Sequence, residues 1–128
     1  MNTSFRLGPI GQISLLVNDI ERSVAWYRDV LGLRHLFTFG NLAFFDCAGT
    51  RLFLNTPQPG EQQTGNSVLY FRVGDIAATH QALESRGVAF TDAPHLIHRH
   101  PDGMEEWMGF FTDPDGNILA LMSQIPAT

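Results

Sequence analysis

The chain has 128 residues, a length typical of one domain, and 44% of them are hydrophobic, which is enough for a core. Its net charge is −5, and the sequence has no basic stripe, which argues against binding to nucleic acid or to an anionic membrane surface. No apolar run reaches the ~18 residues of a membrane span, no signal-peptide pattern is present, and Cys47 is the only cysteine, so we expect a cytoplasmic protein.

One pattern occurs twice along the chain. Residues 15–33 read LLVNDIERSVAWYRDVLGL and residues 71–88 read FRVGDIAATHQALESRGV. Each stretch has the end of an apolar strand, then Val-x-Asp-Ile, a segment of helical length and a glycine. The repeat therefore predicts two copies of one supersecondary unit.

In the first copy, Asp19 is a typical N-cap and Gly32 suits a C-cap with positive φ. An apolar stripe with helical spacing lies between them, formed by Ile20, Val24, Tyr27 and Leu31. Three strands are predicted next, over Arg34–Phe39, Leu42–Cys47 and 51–55, with hairpin turns at 40–41 and 48–49.

In the second copy, Asp75 and Gly87 predict the ends of a helix whose stripe includes Ile76, His80 and Leu83. Strands follow over 89–100, which Pro94 makes irregular, then over Glu105–Thr112 and 118–122. The turn residues DPDGN separate the last two strands. We expect one domain over 1–128 of the α+β class, with modules at about 8–57 and 66–124 and a linker at about 58–65.

The motifs VNDIERSVAWYRDVLGL, VLYFRVGDIAATHQALESRGV and FFTDPDGN resemble the vicinal-oxygen-chelate superfamily, the glyoxalase, bleomycin-resistance and dioxygenase group. The resemblance covers residues 10 to 124. It implies two tandem βαβββ modules that form a curved mixed sheet around a concave pocket, in which a divalent metal usually chelates the substrate.

The resemblance also places the family's metal ligands. Two histidines and a glutamate are expected where this chain has Gln12, Val68 and Ala120, and a further glyoxalase glutamate falls at Phe53. Val, Ala and Phe offer no lone pair, and Gln offers one neutral oxygen, a poor lone ligand for Zn, Ni or Fe. No metal cofactor is therefore predicted, and a divalent metal held in another way is the alternative.

Counting by twos from those positions predicts further residues that face the pocket. They are Ser14, Leu16, Tyr70, Arg72, Ile118 and Met122, and a match of the turn to fosfomycin-resistance proteins adds Glu106, Met108 and Phe110. The predicted ligand site is mostly apolar and aromatic, as small-molecule sites usually are. The alternative is that these side chains simply fill the cavity.

The segment PHLIHRHPDGMEEW is the one cluster of polar side chains whose residue types are suited to catalysis or metal binding. His98 and His100 are two residues apart on a predicted strand, and Glu105 or Glu106 returns on the next. They could act as an acid or base or hold a metal, and the alternative is an exposed loop with hydrated histidines. Structural roles are expected for His80 and Cys47, an exposed position for His35, and turn roles for Asp113 and Asp115.

Two functions follow from the resemblance. The first is a homodimer that binds a small, partly aromatic organic molecule without metal, as the bleomycin-resistance branch does, and the acidic chain favours a cationic ligand. The second is an enzyme, either a glyoxalase-like lyase or isomerase or a dioxygenase, that uses a metal or the acid/base groups His98, His100, Glu106 and Tyr70. An interaction module is a third possibility that nothing particular supports.

Overall fold

The computed structural model describes residues 5–60 and 67–126. The chain divides into two compact units, and one ends and the other begins within residues 61–66. The predicted linker at 58–65 thus lies mainly outside the described residues. In the described part no helix is both long enough and apolar enough to cross a membrane.

The first unit is a four-stranded mixed sheet with one helical segment. Its strands lie in the order β1-β4-β3-β2; β1 and β4 are parallel, and the other neighbours are antiparallel. Along the chain its elements are β1 (Gln12–Leu16), α1 (Ile20–Ala25), β2 (Arg34–Phe39), β3 (Leu42–Cys47) and β4 (Thr50–Asn55).

The second unit repeats this topology. Its strands lie in the order β5-β8-β7-β6, again with one parallel pair, β5 and β8. Along the chain its elements are β5 (Leu69–Arg72), α2 (Ile76–Ser85), β6 (Phe90–Arg99), β7 (Glu105–Thr112) and β8 (Ile118–Ile125). The predicted α+β class and its two βαβββ modules are therefore confirmed, although β8 runs three residues beyond the predicted end at Met122.

Both helices begin as the sequence predicts. The Asp19 carboxylate accepts a hydrogen bond from Arg22 N at 3.1 Å, and the Asp75 carboxylate accepts one from Ala78 N at 3.0 Å. The first helix differs further along, because its α-helical part ends at Ala25 and a π-helical turn covers Trp26–Val30. In that turn Leu31 N donates to Trp26 O, five residues back, at 3.2 Å.

In each unit one face of the sheet packs against the helix and forms the core. In the first unit α1 contacts β3 and β4, and in the second α2 contacts β6, β7 and β8. The residues on these faces are almost fully buried, among them Ala43, Phe45, Leu52, Leu54, Phe111, Leu119 and Leu121. Because side chains alternate along a strand, the intervening residues form the opposite, helix-free face of each sheet.

Candidate functional site

The helix-free face of the first sheet carries a row of aromatic rings. Phe37, Phe44 and Phe53 are cross-strand neighbours on β2, β3 and β4, so they lie side by side. The Phe44 and Phe53 rings are 4.9 Å apart and inclined by 6°, and the Phe37 and Phe44 rings are 4.5 Å apart. Offset stacking of this kind stabilises aromatic pairs and gives a rigid apolar surface.

Two predicted site residues of β1 lie beside this row. Ser14 is the cross-strand partner of Phe53, and Gln12 is the partner of Arg51. Both Gln12 and Ser14 are exposed. The structure thus brings together Gln12, Ser14 and Phe53 on one face, as the alternation from the family positions predicts.

Arg51 is a residue of this face that sequence reasoning missed. Its Nε donates to Gln12 Oε1 at 2.8 Å, and its Cζ lies 5.0 Å from the centre of the Phe44 ring. A guanidinium above an aromatic face is attracted by the ring quadrupole. The signal in the sequence was the position of Arg51, two residues before Phe53 and therefore on the same face of β4.

The residues at the family's ligand positions do not fit a divalent metal. The Gln12 amide oxygen already accepts from a guanidinium, whose positive charge would repel a cation beside it. Phe53, Val68 and Ala120 offer hydrocarbon only, and Ala120 is fully buried. Within residues 5–60 and 67–126, no group of three or more His, Cys, Asp or Glu side chains is placed to hold a metal ion.

The helix-free face of the second sheet is also aromatic. Tyr70 and Phe110 flank Ala120 on β5 and β7, and their rings meet edge to face with centres 5.9 Å apart. Met108 and Met122 are cross-strand partners on the same face. Tyr70 is 46% exposed, so the phenol is accessible, whereas Ala120 between the two aromatic residues is fully buried.

The histidine cluster lies at one end of this second face. The rings of His98 and His100 are 4.6 Å apart, and His100 Nε2 is 2.8 Å from Glu106 Oε2. Gln124 Nε2 donates to the same carboxylate oxygen at 3.0 Å. The hydrogen bond with His100 is the main reason why the pKa of Glu106 is lowered, and Gln124 and the Arg72 charge add to it.

The strand pairing at this end places the two candidate glutamates, Glu105 and Glu106, on opposite faces of the sheet. Glu106 is the cross-strand partner of His98, whereas Glu105 pairs with Arg99 and points to the other face. There Glu105 bonds to Arg99 and accepts a hydrogen bond from Trp107 Nε1 at 3.0 Å. Of the two, Glu106 is therefore the one that can act with His98 and His100.

The other polar residues have structural roles. Asp113 caps the β7–β8 turn, Asp46 accepts from Gly49 N at 3.0 Å, and His80 stacks edge-on against Phe90. Burial, and secondarily the Asp46 charge, raises the pKa of the Cys47 thiol, which keeps it protonated and unreactive.

The expectation that His35 is exposed is wrong. Its side chain is partly buried, its ring lies 5.3 Å from that of Phe45, and its Nε2 is 2.7 Å from Thr38 Oγ1. The physical reason is a register shift in β2 between His35 and Phe37, so that His35 pairs with Phe45 on the core side of the sheet, whereas Phe37 pairs with Phe44 on the helix-free side.

The fold agrees with the comparisons to known proteins. The family model of the Glyoxalase/Bleomycin resistance protein/Dioxygenase superfamily matches residues 9–121, and the chain belongs to that superfamily. It is 28% identical to the uncharacterized protein YraH of Bacillus subtilis, with 89% of this chain and 97% of YraH covered.

Solved structures share the fold. A lactoylglutathione lyase from Agrobacterium tumefaciens superposes with a TM-score of 0.71 at 24% identity, covering 91% of this chain and 94% of that one. The virulence protein STM3117 from Salmonella typhimurium superposes with a TM-score of 0.76 at 20% identity, covering 94% and 100%. At these identities the likeness concerns the fold and not the activity.

Proposed function

We propose that this protein binds a small organic molecule on its aromatic, helix-free sheet faces and does so without a divalent metal. The contact between Gln12 and Arg51 is the observation that carries the proposal. It commits the one oxygen at the family's ligand positions to a guanidinium and places a cation where a metal would need electron donors.

The exposed aromatic surface supports the binding part of the proposal. Phe37 and Tyr70 remain 48% and 46% exposed although both have aromatic neighbours. Apolar surface that stays accessible in this way is typical of ligand and interaction sites. Binding of an aromatic molecule would remove this surface from water, which is favourable by roughly 25 cal/mol per Å².

Two measurements on the purified protein test this proposal. Elemental analysis should find no stoichiometric transition metal, and mass spectrometry under native conditions should find a small molecule retained or taken up from an aromatic fragment library. One metal per chain that survives dialysis and is lost in a Gln12→Ala variant would refute metal independence.

A matched pair of variants tests the location of binding. Phe110→Ala should weaken the identified molecule by roughly 1–3 kcal/mol through lost apolar contact. Phe5→Ala is the control, because Phe5 is 80% exposed and belongs to no strand. Equal effects of the two substitutions would exclude the second sheet face as the site.

The hydrogen bond between His100 and Glu106 favours a second function, metal-free acid/base catalysis of the lyase or isomerase type. A carboxylate that holds one ring nitrogen orients the imidazole, as in the arrangement of a general base. Turnover of a substrate that is abolished by His100→Ala, while binding persists, would establish this function in place of simple binding.

We also propose that the protein is a cytoplasmic homodimer. Strands β2 and β6 are edge strands of their sheets and bear exposed apolar side chains, among them Phe39 and Ile97. Such edges invite association unless a partner covers them, and two-fold dimers are the commonest closed assemblies. Sedimentation at micromolar concentration should give a dimer, and a monomer would refute this proposal.

A further inference from the structure

We propose that the ligand of the first sheet is a planar aromatic carboxylate, with Arg51 as the residue that binds its anionic group. This inference rests on the proposed small-molecule function and adds the ligand class. It departs from the cationic ligand that net charge alone favours, because the first sheet presents the Arg51 guanidinium, which is bonded to Gln12 at one of the family's ligand positions.

The Arg51 guanidinium is held in place and still has hydrogen-bond donors available for a ligand. Gln12 holds its Nε and the Phe44 ring supports its plane. Among the described residues no other hydrogen bond or ion pair engages the Arg51 guanidinium, so its two Nη groups keep four N–H donors. Two parallel donors of a guanidinium match the two oxygens of a carboxylate, and a guanidinium that is already oriented loses less entropy on binding.

The aromatic row explains why the ligand would carry a flat ring. The row ends at Phe53, whose ring contacts Phe44 on one side only among the described residues. On the other side its cross-strand partner is Ser14, which is small and exposed. A ring placed above Ser14 would continue the stack by one more member.

The register also sets the distance between ring and anion. Residues on one face of a strand recur about every 7 Å, so Gln12 and Arg51 lie one such step from Ser14 and Phe53. A two-ring acid spans this step, with its rings against Phe53 and its carboxylate at Arg51.

The local charges favour an anion although the whole chain is acidic. Arg34, Asp46 and Arg51 are successive cross-strand partners on this face, two positive and one negative. One Asp46 oxygen accepts from Gly49 N in the adjoining turn. Exposed charges farther than about 8–10 Å are screened at physiological salt, so the nearby guanidinium outweighs the distant carboxylates.

Calorimetric titration with three probes of one shape tests the inference: 2-naphthoate, neutral 2-naphthamide and cationic 2-naphthylmethylammonium. The wild-type protein should bind the carboxylate most tightly. Arg51→Met keeps the aliphatic stem and removes the charge, and it should weaken 2-naphthoate by roughly tenfold or more while leaving the amide unchanged. Arg51→Lys should recover only part of the loss.

Two further variants locate the site. Arg22→Met is the control, because Arg22 is exposed on α1, which packs on the opposite face of the same sheet, and it should change nothing. Ser14→Phe should fill the open place beside Phe53 and abolish binding of 2-naphthoate.

The outcomes separate the two proposals. If the amide or the ammonium binds as tightly as the carboxylate, or if Arg51→Met weakens the amide and the carboxylate equally, the anionic ligand is refuted and small-molecule binding stands. If none of the three probes binds, both the anionic ligand and the binding role of the first sheet are refuted.

Discussion

Replacement of Asp113 should show how much the β7–β8 turn contributes to the second unit. Its carboxylate accepts hydrogen bonds from Asp115 N at 2.9 Å, Asn117 N at 2.8 Å and Asn117 Nδ2 at 2.8 Å. Asp113 and Asn117 are only 4% and 5% exposed. Asp113→Ala therefore leaves buried donors without an acceptor.

The size of the effect follows from these three bonds. A hydrogen bond to a charged acceptor contributes about 1.5–3 kcal/mol, and the Asp115 donor lies in a partly exposed turn where water can replace the carboxylate. The two bonds to Asn117 then predict a loss of about 3–6 kcal/mol of unfolding free energy for Asp113→Ala. Asp113→Asn retains an oxygen for the two backbone donors and should lose about 1–2 kcal/mol.

Urea unfolding followed by tryptophan fluorescence is the appropriate assay. Trp26 lies in the first unit and Trp107 in the second, and the chain has two tryptophans. A Trp26→Phe background therefore makes the signal report the second unit. A loss below about 1 kcal/mol for Asp113→Ala would refute the view that this carboxylate holds the turn.

Two further predictions concern the second sheet. Gly109→Ala should destabilise the protein by about 1–3 kcal/mol in urea unfolding, because the added Cβ would lie 3.0–3.1 Å from Pro94 atoms, whereas Gly74→Ala meets nothing within 4 Å and should be neutral. Glu106→Gln should lower the urea midpoint of unfolding at neutral pH but not in acid. The hydrogen bond with His100 lowers the pKa of Glu106 in the folded protein. The resulting stabilisation is therefore present above the pKa of the unfolded carboxyl group and is lost as the pH falls through the folded pKa. A midpoint difference that persists in acid would contradict that origin.

The sequence by itself determined the repeat, the turn chemistry and the facing of most strands. These are local properties: the Val-x-Asp-Ile pattern sets a strand end and a helix cap, and the residue pairs at 40–41 and 48–49 allow the hairpins that form β2, β3 and β4. The resemblance gave Gln12 and Phe53 as family ligand positions, and alternation from Gln12 then added Ser14 on the same face.

The tertiary structure decided which side chains meet across strands. The bond between Arg51 and Gln12 joins residues that lie far apart in the sequence, and it depends on the parallel register of β1 and β4. The π-helical turn after Ala25 and the burial of His35 likewise depend on packing. Register sets cross-strand partners through contacts between distant segments, and periodicity along one segment carries no record of them.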